Sequence, residues 1–299
     1  MSGHTRSDDL AAALFQLSDA EVSRRVALAR DESYWRALAP GRAIGGTPRA
    51  QTGQLSSSAI DAASERLRTS GYFETVPILA SASLDACGQI VDAVAAEGWP
   101  PVFAWIYDEL WECVRLPDVE AILTAVLGGG YHHLPHPWVH DVPAVAGAAG
   151  WYPHFDGDGR SGVSIWIALS TATAANGCMH VVPRPATPES FRGHAGWGGG
   201  RTIPAADAVR ALHASVALPV ERGAVLGWTF DVLHWGGTCS ETGSRKDARR
   251  SISLEFIAAD EPPEPDEVPL LDPRGPFPPF GARLRFISRA LSIYEMREA

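Results

Sequence analysis

The segment around His154 carries the first side chains that could hold a metal ion. His154 and Asp156 are two residues apart, and residues i and i+2 of a strand point to the same side, so an imidazole and a carboxylate are predicted to converge on one point. Gly157 and Gly159 follow, so the strand is predicted to end there and to leave both ligands near its rim. His234 lies just past a second apolar strand and would supply a third ligand from another part of the fold.

Two histidines and one carboxylate form a facial triad, which leaves three positions of an octahedral metal open. This arrangement is typical of Fe(II) enzymes that activate dioxygen. Two open positions suit a bidentate 2-oxo acid, and the third suits dioxygen. The pattern therefore predicts an Fe(II) site on His154, Asp156 and His234, with 2-oxoglutarate as the co-substrate.

Residues 249–256 are predicted to form a strand whose two faces differ. Alternation places Arg249, Ser251 and Ser253 on a small polar face, while Arg250 falls on the opposite, apolar face. A guanidinium fork binds a carboxylate through two parallel hydrogen bonds, and a serine hydroxyl can add a third. Arg249 and Ser251 are therefore predicted to anchor the distal carboxylate of 2-oxoglutarate.

Residues 151 to 258 resemble the phytanoyl-CoA dioxygenase family of Fe(II)/2-oxoglutarate oxygenases. The matching runs are His154-Phe155-Asp156, residues 164–169, residues 176–183, the strand entering His234, and residues 249–253. The resemblance implies a β-rich α+β fold, in which a double-stranded β-helix (jelly-roll, cupin-like) barrel carries flanking N-terminal helices. It also implies iron on the triad and the co-substrate carboxylate on Arg249. Trp166, on the strand after His154-Phe155-Asp156, is expected to flank the co-substrate.

The sequence departs from the family pattern at two places. After its Asn-Gly strand the family usually continues Pro-Gly-Ser/Thr-His, whereas this chain has Pro183-Arg184-Pro185-Ala186, so the resemblance does not predict the local substrate lid. The loop between His234 and Arg249 is longer than usual, which leaves Arg250 as an alternative anchor for 2-oxoglutarate.

The predicted reaction oxidises an unactivated C–H bond of a small organic metabolite in specialised metabolism and releases succinate and CO2. Related halogenases have a small residue where Asp156 stands, so the carboxylate favours hydroxylation. Desaturation, cyclisation and epoxidation stay open. Two other classes are alternatives: a cupin-like metalloenzyme that does not use 2-oxoglutarate, and an inactive relative that acts as a binding module.

The elements that must position these residues change character along the chain. Residues 1–57 are predicted to be a helical segment and linker, and residues 58–299 a single oxygenase domain with its catalytic core at about 131–258. Amphipathic periodicity predicts helices at 60–70, 83–97, 118–127 and 280–296. Short strands between turn residues are predicted at 137–141, 149–155, 162–170, 178–183, 215–220, 223–230 and 249–258. An acidic, proline-rich stretch, 261–275, is predicted to wrap the surface with its carboxylates in solvent.

The other histidines do not form a second metal pattern. His132, His133, His136 and His140 are interrupted by prolines and lack a carboxylate partner in sequence. Surface or supporting roles are favoured for them, with lining of the substrate pocket as the alternative. His180 is expected to pack in the interior.

Composition narrows the class of protein. The chain has 299 residues, 45% of them hydrophobic and 20% charged, and a net charge of −10, which indicates a globular protein without affinity for nucleic acid. No apolar run reaches the roughly 20 residues that span a bilayer, and the first residues do not resemble a signal peptide. The four cysteines form no CxxC pair, so reduced thiols and a cytoplasmic location are expected. A small-molecule substrate and a monomer or homodimer complete these expectations.

Overall fold

A layer of helices precedes and covers the strands that carry the predicted site. The computed structural model describes residues 19–156, 160–191, 204–264 and 267–298, so the predicted helix before Asp19 and the two glycines at 157 and 159 lie outside the described residues. The helices are α1 (Asp19–Ala29), α2 (Glu32–Leu38), α3 (Ser57–Ser70), α4 (Ser81–Ala96), α5 (Asp108–Cys113), α6 (Pro117–Leu127), α7 (Ala205–Ala214) and α8 (Phe280–Glu298).

Local sequence explains where these helices begin and end. Ser56 caps α3 by accepting a hydrogen bond from the Ala59 amide. Gly71 ends α3 with a left-handed φ of 83°, as the sequence predicts. The apolar stripe of α4 is buried as its periodicity predicts: Leu84, Cys87, Ile90, Val91 and Val94.

Two antiparallel sheets follow. The strands are β1 (Tyr72–Glu74), β2 (His132–His133), β3 (Trp138–Val142), β4 (Gly162–Ala168), β5 (Met179–Val182), β6 (Val216–Leu218), β7 (Val225–Thr229), β8 (Leu233–Gly236) and β9 (Arg249–Ile257). The large sheet has the order β1-β7-β4-β9-β2, and β3 pairs with the first half of β9 on the same edge as β2. The small sheet has the order β6-β5-β8.

Alternation along β9 separates the core from the site. Ile252, Leu254 and Phe256 are buried in the main hydrophobic cluster, which they share with residues of the helices. Arg249 and Glu255 on the other face line a cavity together with residues of the small sheet. The helices therefore cover the outer face of the large sheet, and its inner face looks across the cavity toward the small sheet.

Several elements differ from the predicted ones. Residues 149–155 form only isolated bridges, at Ala149 and His154, because Pro153 removes a backbone donor. His234 lies past the end of β7, as predicted, but within a further strand, β8, that was not predicted. A 3₁₀ helix, Pro101–Ile106, and the short α5 were not predicted, since aromatic residues and prolines obscure their periodicity.

The segment after β9 also differs from its prediction in one respect. Glu267 is buried and forms an ion pair with Arg160, with 2.8 Å between Nη1 and Oε1, so this carboxylate is not solvated. Further along, Leu271 exchanges backbone hydrogen bonds with His133. The segment after β9 is therefore held against the large sheet by an ion pair at Glu267 and by backbone hydrogen bonds to β2.

The prediction of helices combined with β-sheets is confirmed, but the predicted barrel is not. The described residues form a mixed α/β structure with antiparallel sheets, but no closed barrel is seen among them. No helix in the described ranges combines the length and the apolar character needed to cross a membrane.

Helix α8 is anchored to the helical layer by one buried cation. Arg283 is fully buried, and its Nη2 lies 2.5 Å from Oδ1 of Asp108. Its guanidinium also donates to the carbonyls of Ile106 and Pro278. Asp108 in turn accepts the amides of Gly45 and Gly46, so one ion pair connects α8, α5 and the segment before α3.

We predict that Arg283→Met destabilises the protein by about 3 kcal/mol, because it leaves the buried Asp108 carboxylate without its cation. Urea unfolding followed by circular dichroism measures the change. Arg285→Met, on the exposed side of the same helix, is the matched control. Equal midpoints for the two variants would contradict this role of the ion pair.

Candidate metal and co-substrate site

The structure brings His154, Asp156 and His234 together. His154 and His234 face each other across an antiparallel bridge, in which each amide donates to the other residue's carbonyl at 3.0 Å. The Nε2 atom of each imidazole lies 3.4 Å from Oδ1 of Asp156. One ligand atom from each residue lies within 4.8 Å of the others, which is a spacing that one metal ion can bridge.

Backbone carbonyls fix the orientation of both imidazoles. Nδ1 of His154 lies 2.6 Å from the Tyr152 carbonyl oxygen, and Nδ1 of His234 lies 3.0 Å from that of Val232. A carbonyl can only accept, so Nδ1 carries the proton in each ring and the Nε2 lone pair points to the centre. This arrangement is common for histidines that bind metals.

The Asp156 carboxylate is divided between two tasks. Its Oδ2 accepts hydrogen bonds from the Ser164 hydroxyl and, at 2.8 Å, from the Trp228 indole, while Oδ1 faces the two imidazoles. Burial by itself would raise the pKa of this carboxyl, but protonated imidazoles at His234 and His154 hold it well below its usual range, and a bound cation between the rings would act in the same direction. The carboxylate is therefore ionised, oriented and able to offer one oxygen to a metal.

Arg249 lines the same cavity, and none of the residues that the structure describes forms an ion pair with it. It is 2% exposed, its Nε has no hydrogen-bond partner among the described residues, and burial lowers its pKa to about 10. Two glycines make room for the guanidinium: a Cβ at Gly150 would lie 2.5 Å from Nη2 and one at Gly236 would lie 2.8 Å from it. Such a cradled cation is suited to an anionic ligand.

Of the other predicted co-substrate residues, Trp166 lines the same cavity as Arg249, and Ser251 follows Arg249 by two residues on the same face of β9. Ser251 and Trp166 are buried, and neither the Ser251 hydroxyl nor the Trp166 indole nitrogen has a partner in the described part of the chain. Arg250 points the other way and forms ion pairs with Asp92 and Asp141. The structure thus presents Arg249, rather than Arg250, to the cavity.

Aromatic rings form the wall beside the triad. Trp151 contacts Trp138, His140 and His154, with ring centroids 4.7 to 5.3 Å apart. Trp228 lies against His234, at 4.4 Å. These rings exclude water from one side of the predicted metal site.

The remaining histidines are divided among different surroundings. His133 is buried beside Phe256, and burial lowers its pKa to about 3, while His140 lines the cavity. Nε2 of His136 lies 2.7 Å from Oε2 of Glu255, a hydrogen bond between two buried side chains. His180 is half-buried and stacks on Trp235, outside the cavity.

Three residues of the site were missed by sequence reasoning. Ser164, Trp228 and Glu255 line the cavity, and the first two hold Asp156. Strand alternation was a usable signal for Glu255, since it continues the face of Arg249, Ser251 and Ser253. No local pattern indicates the partners of Asp156, which come from two different strands.

Arg184, where the sequence departs from the family's Pro-Gly-Ser/Thr-His pattern, has a structural role. Its guanidinium donates to Asp231, at 2.7 and 3.1 Å, and to the hydroxyl of Thr229. It also donates to the carbonyl of Arg68 at the end of α3. Arg184 therefore ties the turn that leads into His234 to the helical layer.

The chain belongs to the phytanoyl-CoA dioxygenase (PhyH) family, whose model matches residues 85–246, more than half of the sequence. This confirms the resemblance inferred from the motifs. The His–Asp–His triad fits the family's iron site, and family and triad together support iron and 2-oxoglutarate as the cofactors. A comparison with curated proteins finds no match.

Solved structures with a similar fold include several non-haem enzymes. The epimerase SnoN, in complex with Fe3+, alpha ketoglutarate and nogalamycin RO, is 18% identical, with 75% of this chain and 96% of that chain covered and a TM-score of 0.54. The non-heme monooxygenase ThoJ is 20% identical, with 78% and 96% covered and a TM-score of 0.56. EctD from S. alaskensis is 17% identical, with 74% and 83% covered and a TM-score of 0.51. At such identities these likenesses support the fold alone.

We predict that Trp228→Phe weakens Fe(II) binding about 10- to 100-fold, because Asp156 loses a hydrogen bond that orients it. Anaerobic metal titration measures the dissociation constant. Trp99→Phe is the matched control, since the Trp99 indole donates to Tyr34 in the helical layer. If both variants bind iron like the unaltered protein, the indole has no role in orienting the carboxylate.

Proposed function

We propose that this protein is an Fe(II)/2-oxoglutarate-dependent oxygenase built on a double-stranded β-helix. It hydroxylates an unactivated C–H bond of a small organic metabolite in specialised metabolism and releases succinate and CO2. One observation carries the proposal: the open side of the triad and an unmatched buried guanidinium face the same cavity.

The donor set fits ferrous iron. Two neutral imidazoles and one carboxylate oxygen form the facial triad that non-haem Fe(II) oxygenases use, and none of the three is a soft thiolate. His154 and His234 would bind through Nε2 and Asp156 through Oδ1, because their other polar atoms are already engaged. The bound iron with 2-oxoglutarate supplies the oxidation of the substrate C–H bond by dioxygen.

The spacing of the cavity suits a short diacid. His234 and Gly236 are two residues apart on β8, about 7 Å along a strand, and point to the same side. Because Gly236 adjoins the Arg249 guanidinium, a five-carbon dicarboxylate can reach from the triad to Arg249. Ser251 and Trp166 offer further donors for its distal carboxylate.

The unmatched cation also separates this proposal from the alternatives. A cupin-like metalloenzyme that does not use a 2-oxo acid has no need for a buried arginine beside its metal, since burying it unpaired is costly. An inactive relative would have no need to keep every ligand atom oriented. Because the similar structures include both an epimerase and a monooxygenase, product analysis must decide between hydroxylation and another oxidation.

We predict that the protein forms a visible metal-to-ligand charge-transfer band when Fe(II) and 2-oxoglutarate are added without oxygen. His234→Ala should lose the band and at least about 100-fold of the 2-oxoglutarate turnover, because the triad loses a ligand. Absorbance and succinate release measure the two effects.

His213→Ala, on the exposed side of α7, is the matched control and should leave both signals unchanged. A protein that binds iron but gives neither a band nor succinate would support the cupin-like alternative. Normal turnover by His234→Ala would refute the assigned triad.

We predict that Arg249→Lys raises the KM for 2-oxoglutarate about 10-fold or more, because lysine keeps the charge but loses the two-pronged hydrogen bond. Iron affinity should stay the same. Arg250→Lys is the control, and steady-state succinate formation gives both KM values. If the KM for 2-oxoglutarate rose only in Arg250→Lys, the co-substrate would have to bind on the other face of β9.

A further inference from the structure

Glu255 presents a second charge to the cavity, away from Arg249. The two residues lie on the same face of β9, six positions and about 20 Å of strand apart. Both line the cavity that contains the triad. Arg249 belongs to the predicted co-substrate end, so Glu255 marks the other end.

The carboxylate of Glu255 is held in place by one neighbour. It is 7% exposed, and its Oε2 lies 2.7 Å from Nε2 of His136. Nδ1 of His136 is buried without a partner among the described residues, so a neutral ring that donates from Nε2 leaves no buried N–H unsatisfied. Oε1 of Glu255 has no hydrogen-bond partner in the described part of the chain, so this oxygen is left for a ligand.

Glu255 is also close to the predicted point of oxidation. It is directly opposite Ser164 in the pairing of β4 with β9, and directly opposed residues have Cβ atoms about 5 Å apart. Ser164 holds the metal ligand Asp156. A substrate group bound at Glu255 would therefore bring its neighbouring carbons next to the triad.

The charges of the cavity show what kind of group would bind. A ferrous ion and the 2-oxoglutarate dianion cancel, as do Asp156 and Arg249. Glu255 is then the remaining ionisable carboxylate in the lining that the structure describes. The adjacent ion pair of Arg160 with Glu267 is neutral as a whole and does not compensate it.

The surroundings of Glu255 also suit a cation. Trp138 and Trp228 line the same cavity, and the face of an indole attracts a positive charge. A carboxylate in a cavity that aromatic rings also line is a favourable site for an ammonium group, whereas a substrate carboxylate would be repelled.

We propose that Glu255 determines substrate specificity and that the substrate carries a protonated amine, which Glu255 binds while a nearby C–H bond faces the iron. The proposal rests on the function proposed above. His136 is a positioning residue, which holds the carboxylate toward the cavity.

The test uses the anaerobic complex with Fe(II) and 2-oxoglutarate and three probes that share one carbon skeleton: butylamine, butanol and butyrate. Perturbation of the charge-transfer band measures their binding. Butylamine should bind at least about tenfold more tightly than butanol, because its hydrogen bond to Glu255 is charge-assisted, and butyrate should bind most weakly.

Glu255→Gln should abolish the preference for butylamine, and Glu255→Asp should retain part of it because the charge remains. Glu267→Gln removes another buried carboxylate, outside the cavity lining, and should leave the preference intact. All variants must form the charge-transfer band, which shows that they fold and bind the co-substrate.

Equal or absent responses to the three probes, or an unchanged preference in Glu255→Gln, would overturn the assignment of Glu255 while leaving the oxygenase function in place. Failure of the unaltered protein to form the band would instead refute the proposed function. The two results are distinguishable within one experiment.

Discussion

The site depends on one constraint: the two oxygens of the Asp156 carboxylate have different partners. Oδ2 is held by Ser164 of β4 and Trp228 of β7, so Oδ1 is left to face two imidazoles. A buried carboxylate without these donors would be costly to ionise. The large sheet thus supplies the groups that orient the ligand, while His234 comes from the small sheet. Any movement of one sheet relative to the other would separate the ligands.

Alternation of side chains along β9 determines the rest of the pocket. On β9, side chains that leave the sheet in one direction form the core beneath the helices, and those that leave it in the other direction form a polar row from Arg249 to Glu255. Oppositely charged groups therefore occupy the two ends of one strand, with the triad between them. A single extended element positions both the predicted co-substrate and the proposed substrate.

Much of this could be predicted from sequence, and the limits have physical causes. The spacing of His154 and Asp156 and the face of Arg249 follow from the period of a strand, which local sequence encodes. The family resemblance, drawn from those motifs, is confirmed. The partners of Asp156 were not predictable, because Ser164 and Trp228 meet it only through the pairing of distant strands. Alternation along β9 placed Glu255 on the face of Arg249, but its pairing with His136 was not predictable, because His136 stands between two prolines and lies far away in sequence.

The two glycines that cradle Arg249 carry a consequence for the choice of 2-oxo acid. The end wall of the co-substrate site is bare backbone at Gly150 and Gly236, and the guanidinium rests directly against it. A methyl group at Gly150 would lie 2.9 Å from the Cα of Gly236, and one at Gly236 would lie 2.8 Å from the Cα of Gly150, so either would push the two backbone segments apart as well as displace the guanidinium. If the proposed co-substrate site is correct, the position of its arginine, and with it the length of acid that fits, depends on two facing backbone segments that have room for no side chain at all.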